Sequence, residues 1–243
     1  MSEPIIQFIN HASIRIEYKN KSILCDPWYS GNVFNDGWSL LYENEDQRIE
    51  KLLNNINYIW ISHEHPDHFS ISFFKKYLNI IKKNKIKVIF QSTKDKRVKN
   101  FLNKIGVEVI ELEEKQEYSI DNDYRIKILK SEFYDSALIV NAGDFKIFNL
   151  NDCPIDSENE LKKIVNQNGT CDILLTQFSY AAWKGGKNNL KWRKEAAINK
   201  LNTIYLQKKI LEPKHIIPFA SFMYFSNEEN FYLNDVSNKV EDL

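Results

Sequence analysis

Seven consecutive residues constrain this chain more than any others: Ser62-His63-Glu64-His65-Pro66-Asp67-His68, set where the apolar run YIWIS (58–62) gives way to a helical pattern near residues 69–82. Three imidazoles and two carboxylates this close cannot enter a core without partners, because each unpaired buried polar group costs about 1–3 kcal/mol. Neutral imidazole and carboxylate together are a ligand set for Zn, Fe or Mn. The His-x-His turn can aim His63 and His65 at one ion. The start of the following helix then presents Asp67 and His68 to a second.

The rest of the chain supplies strands and helices in a recognisable order. IIQFI, SIRIEY and KSILC read as a small β-meander, since SIRIEY alternates with period two and KNK is a turn. A long loop rich in aromatic residues, DPWYSGNVFNDGWSLLY, follows, and loops of that length tend to carry function. Helix patterns near 45–54, 69–82 and 95–104 alternate with the strands YIWIS, VIFQS and VEVIEL; an all-β stretch, YRIKILK, SALIVNA and FKIFNL, comes next. The last third returns to helix near 157–166, the strand DILLTQ, a long helix near 191–210 and the strand HIIPFA. The charge runs at 82–87 and 111–117 read as solvated helix ends and turns. The pattern predicts an α/β chain.

Composition removes several function classes. With 33 Lys+Arg against 33 Asp+Glu in 243 residues, there is no overall pull toward nucleic acid or an anionic membrane. No apolar run reaches the roughly 18 residues of a membrane-spanning helix, and the amino terminus lacks a secretory pattern, so a cytoplasmic location is expected. Cys25, Cys153 and Cys171 are too scattered for a disulfide framework and read as buried thiols.

HEHPDH matches the H-x-H-x-D-H motif of the metallo-β-lactamase superfamily, and the element order fits that fold along the chain. The resemblance implies a four-layer αββα sandwich, with metals at the strand ends, as a single domain over residues 1–243. His11-Ala-Ser-Ile-Arg-Ile-Glu, Asp26-Pro27-Trp28 with Phe34-Asn-Asp-Gly-Trp38, Asn149-Leu150-Asn151-Asp152-Cys153, and Phe219-Ala-Ser-Phe with Glu229-Asn230-Phe-Tyr narrow it. These stretches resemble the metallo-β-lactamase-like domain of the cytidine monophosphate-N-acetylneuraminate hydroxylases and their bacterial relatives. Carried over, the resemblance makes His63, His65, Asp67 and His68 metal ligands and places Asp152 as the aspartate bridging two ions, with Asp67 and Asp152 nearest the chemistry. An anion between two divalent ions about 3.5–4 Å apart is physically sensible. Asp26 corresponds to an early strand-end aspartate that supports a ligand histidine through a hydrogen bond.

The chain also departs from the superfamily pattern. Hydrolases of this type supply a further histidine before the bridging aspartate, yet no histidine occurs from 69 to 214. Asp135 is the nearest replacement, with a plain turn role as its alternative. The superfamily's last histidine usually follows a proline at the end of the final strand, where this chain has Pro218-Phe219-Ala220. His215 lies at that strand's other end and reads as a core or surface residue unless the register differs. His11 falls near the site as a ligand or a substrate contact. A carboxylate-rich set favours Fe or Mn over tetrahedral Zn.

Two divalent ions, Fe or Zn or else Mn, are therefore the expected cofactors. Trp28, Trp38, Tyr180 and Trp183 are candidate substrate contacts, and Lys184 and Lys187 lie near the last two; Lys191 and Arg193 read as a solvated helix start. The resemblance implies a small polar metabolite as substrate, such as an amino sugar or a nucleotide-linked sugar. Hydrolysis is the first expected reaction class. A diiron hydroxylase comes second, and its electrons would come from a separate protein, because the C-x-H and C-x-x-H pairs of a Rieske domain are absent. A non-catalytic binding module is the third reading. Neither nucleic acid nor membrane is expected as a partner.

Overall fold

The computed structural model describes residues 2–131 and 134–243. Strands β1 (Ile5–Asn10), β2 (Ser13–Tyr18) and β3 (Lys21–Cys25) form the antiparallel meander. The short β4 (Trp38–Leu40) leaves it to pair elsewhere. The sheet continues in parallel through β5 (Tyr58–Trp60), β6 (Lys87–Gln91) and β7 (Val109–Leu112), in the order β1-β2-β3-β5-β6-β7.

A second six-stranded sheet is built from β8 (Glu117–Asp121), β9 (Tyr124–Lys130), β10 (Ser136–Ala142), β11 (Phe145–Asn151), β12 (Ile173–Gln177) and β13 (His215–Phe219). It runs antiparallel from β8 to β11, then parallel through β12 and β13. The remaining strand, β14 (Met223–Phe225), pairs antiparallel with β4.

The sheets face each other across one apolar core. Ile14, Ile16 and Tyr18 of β2 alternate with half-buried Arg15 and Glu17, and meet Tyr124, Ile126, Leu138 and Val140 of the second sheet. The central strands are apolar on both faces because helices cover their backs. Behind the first sheet lie α1 (Asp46–Leu53), α2 (Ile71–Lys76), α3 (Leu78–Lys83) and α4 (Arg97–Lys104), whose Leu53, Phe74, Ile81 and Leu102 pack with Leu24, Ile59 and Val88. Behind the second lie α5 (Glu158–Asn168) and α6 (Leu190–Leu211), with Leu161, Ile164 and Leu211 against Ile139, Phe148 and Leu174. The architecture is the four-layer αββα sandwich.

Four local features differ from the pattern reading. The helix expected over 69–82 breaks at Tyr77, whose φ of −101° and ψ of 14° divide α2 from α3. The run at 111–117 is the end of β7, a turn and the start of β8; residues 113–117 are exposed as a solvated turn, and Glu111 departs from that reading, held between Lys96 and Lys99 at 2.8 Å and 2.5 Å. The aromatic loop contains β4, whose partner lies almost 190 residues away in sequence and leaves no local signal. Arg193, expected at a solvated helix start, is buried: it donates to Asp235 and to the carbonyls of Gly186 and Lys187, while Lys191 beside it is open to solvent.

Candidate metal centre

Parallel strands and hairpins bring five separate segments to one edge of the sandwich. β1, β3 and β5 end there, so His11, Asp26 and the turn after Trp60 lie side by side, and the Asp26 N–H donates to the Trp60 carbonyl at 3.0 Å. β11 ends there too, delivering Asn151 and Asp152, while antiparallel β10 begins there just after Asp135. The two sheets are tied at this edge. Ser136 Oγ donates to the Ser62 carbonyl at 2.6 Å, and the Ala220 N–H donates to the His11 carbonyl at 2.9 Å.

Within this edge, the motif residues converge. His63 Nε2 lies 2.8 Å from His65 Nδ1, and 3.9 Å from both Asp135 Oδ1 and Asp152 Oδ2. His68 Nε2 lies 3.1 Å from Asp67 Oδ2 and 3.5 Å from Asp152 Oδ2, and His11 Nε2 is 3.5 Å from Asp67 Oδ2. Two groups of possible ligand atoms each fit within 4.8 Å, His11–Asp67–His68 and His63–His68–Asp152. His11, His63, Asp67 and His68 are buried, whereas His65 stands exposed at the rim.

Orphaned atoms test whether a cation fits. Asp67 Oδ1, Asp135 Oδ1, Asp152 Oδ1 and His11 Nδ1 are buried with no hydrogen-bond partner. Three carboxylates in one cluster repel one another and each keeps one oxygen without a donor, which protons or cations relieve. The donor set of imidazoles and carboxylates suits Fe, Mn or Zn, so the residues present fit a dinuclear metal group.

A scaffold around Asp26 fixes the donors. The Asp26 carboxylate, 1% exposed, accepts from the Ser62 N–H at 2.8 Å and from Asn151 Nδ2 at 2.8 Å, and sits 3.1 Å from His68 Nδ1. With Nδ1 held there, His68 turns Nε2 toward the cluster, as in other carboxylate–histidine–metal arrangements. Ser62 Oγ steadies His63 Nδ1 at 2.9 Å in the same way. His11, Asp26 and Asn151 all take left-handed backbone angles, φ 33°, 40° and 59°. Such conformations are costly for non-glycine residues and gather where a side chain must be aimed.

The charge pattern is strongly coupled. Burial pushes the Asp135 carboxyl up to about 7, with the charge on Asp152 adding to the shift. Burial lowers His63 to about 3, and neighbouring His68 lowers it further. Burial opposes charge on His68 as well, but the surrounding carboxylates, Asp152 foremost, outweigh it and raise its pKa well above the usual range. Asp152 is brought low in spite of burial by His68 and His63.

The remaining expected positions are placed as follows. Trp28 is 1% exposed, stacked edge-on to His11 at 5.4 Å, so it braces His11 and has no face open to a ligand. Trp38, with Phe34, His65, Asp67, Asp152 and Ala181, lines a cavity of about 300 Å³ in front of the cluster. Tyr180 is buried, and its hydroxyl donates to the Leu233 carbonyl. Trp183 is exposed and lies against Trp192 at 5.4 Å. His215 is exposed at the start of β13, the end opposite the cluster, as the surface reading of it expects. Sequence reasoning passed over Ser62 and Asn151, although each adjoins a predicted ligand. It left His11 open as a ligand or a substrate contact, because a lone histidine carries no spacing signal.

The sandwich has the metallo-β-lactamase architecture and carries a candidate metal centre at its edge, and comparison with known proteins agrees on the fold. Residues 5–191 match the family model described as a beta-lactamase superfamily domain, and the chain belongs to that family. Cytidine monophosphate-N-acetylneuraminic acid hydroxylase of Danio rerio is 24% identical over 98% of this chain and 41% of its own length. The inactive human counterpart is 25% identical over 96% of the chain and 48% of its length. The chain therefore spans less than half the length of these curated relatives. Among solved structures, CmlA, a diiron β-hydroxylase from Streptomyces venezuelae, superposes with a TM-score of 0.66 at 15% identity, covering 100% of this chain and 48% of CmlA. A possible metal-dependent hydrolase from Veillonella parvula gives 0.61 at 14% identity, over 97% and 92%. At these identities the structural likenesses establish the fold.

Proposed function

We propose that this chain is a dinuclear metal-dependent hydroxylase acting on a small polar metabolite, with two iron ions and an external electron donor. His63, His65 and Asp135 would hold one ion, and His11, Asp67 and His68 the other, with Asp152 between them. The observation that carries this reading is Asp135. Its Oδ1 sits 3.9 Å from His63 Nε2, unpartnered, on the side where a zinc hydrolase would offer a third histidine. A carboxylate there hardens the set toward iron. The sequence relatives named as hydroxylases, and the diiron fold neighbour, support the same direction.

When bound, two irons would supply dioxygen activation, the overall reaction turning a C–H bond, O2, two electrons and two protons into C–OH and water. The chain's own residues do the rest. Asp26 fixes the His68 ring through Nδ1, and Ser62 fixes His63. Phe34 and Trp38, edge-on at 4.7 Å, wall the cavity in front of the cluster and limit water there. Asp135 and Asp152 must both be ionised to hold cations, so metal loading expels the proton that burial keeps on Asp135.

Hydrolysis is the second reading, and His11 favours it. Beside Asp67 and His68 it restores a two-histidine, one-carboxylate set that zinc also accepts. The two are separated by reconstituting the metal-free chain with iron or with zinc and following oxygen uptake with a chemical reductant. Reductant-dependent uptake with iron alone supports the hydroxylase. Hydrolysis of generic ester or phosphodiester probes by the zinc form, without oxygen uptake by the iron form, supports the hydrolase.

A further inference from the structure

Two of the stretches that carry the family resemblance, Phe34–Trp38 and Glu229–Tyr232, meet in the fold, although 193 positions separate Gly37 from Asn230: Asn230 Nδ2 donates to the Gly37 carbonyl at 2.9 Å. Ser226, just after β14, adds its N–H to the same carbonyl at 3.0 Å and its hydroxyl to the Asp36 carbonyl at 2.7 Å. These carbonyls belong to a tight hairpin tip. Val33 and Trp38 exchange both backbone hydrogen bonds at its base, at 3.0 Å and 3.1 Å, and the Gly37 N–H closes on the Phe34 carbonyl at 3.0 Å. Position 37 has no room for a side chain, since an added Cβ would come 2.8 Å from the Phe34 carbonyl oxygen and 3.2 Å from Asn230 Nδ2.

The tip is strained. Phe34, Asn35 and Asp36 take left-handed backbone angles in succession, φ 55°, 53° and 59°. Asparagine and aspartate tolerate that region but a bulky aromatic residue does not, and such a run persists only where surrounding contacts hold it. Core burial does not repay the strain, because Phe34 is 40% exposed. What the turn achieves is the placing of one ring. Phe34 lies edge-on to Trp38 at 4.7 Å and to His65 at 5.9 Å, on the cavity that also reaches Asp67 and Asp152.

We propose that Ser226 and Asn230 are positioning residues, whose hydrogen bonds lock the left-handed turn and through it hold Phe34 across the entrance to the metal centre. The stretch after β14 thereby sets how freely a molecule reaches the ions. Released from Ser226 and Asn230, the tip relaxes out of the left-handed region and carries the Phe34 ring away from His65. The assignment rests on the reading of the cluster as a metal centre.

The test follows loss of metal from the zinc-loaded chain to excess EDTA. Ser226→Ala combined with Asn230→Ala should speed the loss about tenfold, the effect of two side-chain hydrogen bonds, with the metal content before chelation unchanged. Phe34→Ala should speed it as much, and adding it to the double variant should change nothing further, because the lock acts through that ring. Effects that add would show that Ser226 and Asn230 merely support the surrounding structure, and they overturn the proposal, as does a rate unaltered in the double variant. Hydrogen–deuterium exchange over residues 33–38 of the metal-free chain reads the lock without the ions. It should quicken in the double variant, and exchange at the wild-type rate overturns the proposal as well. Faster exchange in a chain that takes up no metal would keep the lock and remove the metal reading instead.

Discussion

Asp26 is the residue on which the cluster's geometry depends most. Asp26→Asn keeps a side chain suited to the left-handed backbone at φ 40°, because asparagine tolerates that region. It weakens the acceptor that orients His68 and places an amide where Ser62 and Asn151 donate. Metal affinity should fall about 10–100-fold while the far-ultraviolet spectrum is retained, and an unchanged affinity measured by competition with a chelator would show that Asp26 does not orient His68.

Asp135 gives a pH-dependent signature at the same scale. In the metal-free protein its folded pKa of about 7 exceeds the unfolded carboxylate value, so the folded state holds a proton that the unfolded chain has released. Its contribution therefore turns against stability as pH rises from the unfolded value toward 7. Denaturation of the chelated protein at pH 5 and pH 8 should show a larger loss in wild type than in Asp135→Asn; equal losses would place Asp135 outside the charge cluster. The motif residues His63, His65, Asp67 and His68 were legible because they are contiguous. Asp135 and Asp152 were reachable only through their strand-end positions and the family resemblance.

At the scale of elements, most strands and helices follow directly from periodicity. SIRIEY alternates, and Ser70 and Ser157 accept from Phe73 N and Glu160 N to start α2 and α5. What periodicity missed depends on distant partners. β8 is a polar strand that forms by pairing with β9, with a register shift between Ser119 and Asp121, and β4 exists through β14. The β10–β11 hairpin turns on Gly143, at φ +61°, where an added Cβ would sit 2.6 Å from the Tyr18 hydroxyl across the sandwich. Gly143→Ala should destabilise the fold by at least about 1 kcal/mol, read as a lower urea midpoint. Because β10 and β11 carry Asp135 and Asp152 at their far ends, metal affinity should fall in parallel; an unaltered midpoint would show that the turn relaxes freely.

Over the whole molecule, the sandwich is a clamp whose two sheets each deliver part of the centre. The first contributes His11, Asp26 and the His63–His68 turn, and the second contributes Asp135, Asn151 and Asp152. Ions bound between the sheets stabilise the folded state alone, by about 2.7 kcal/mol at a free metal concentration one hundred times Kd. Chelation should lower the thermal midpoint, and restoring metal should recover it.

The central claim is that two ions sit at this edge, one depending on Asp135 and the other on His11. Elemental analysis of the reconstituted wild type, Asp135→Asn and His11→Ala tests it most directly. The account predicts two ions per wild-type chain and about one in each variant. A wild-type chain that binds fewer than two, or variants that both retain two, would contradict it.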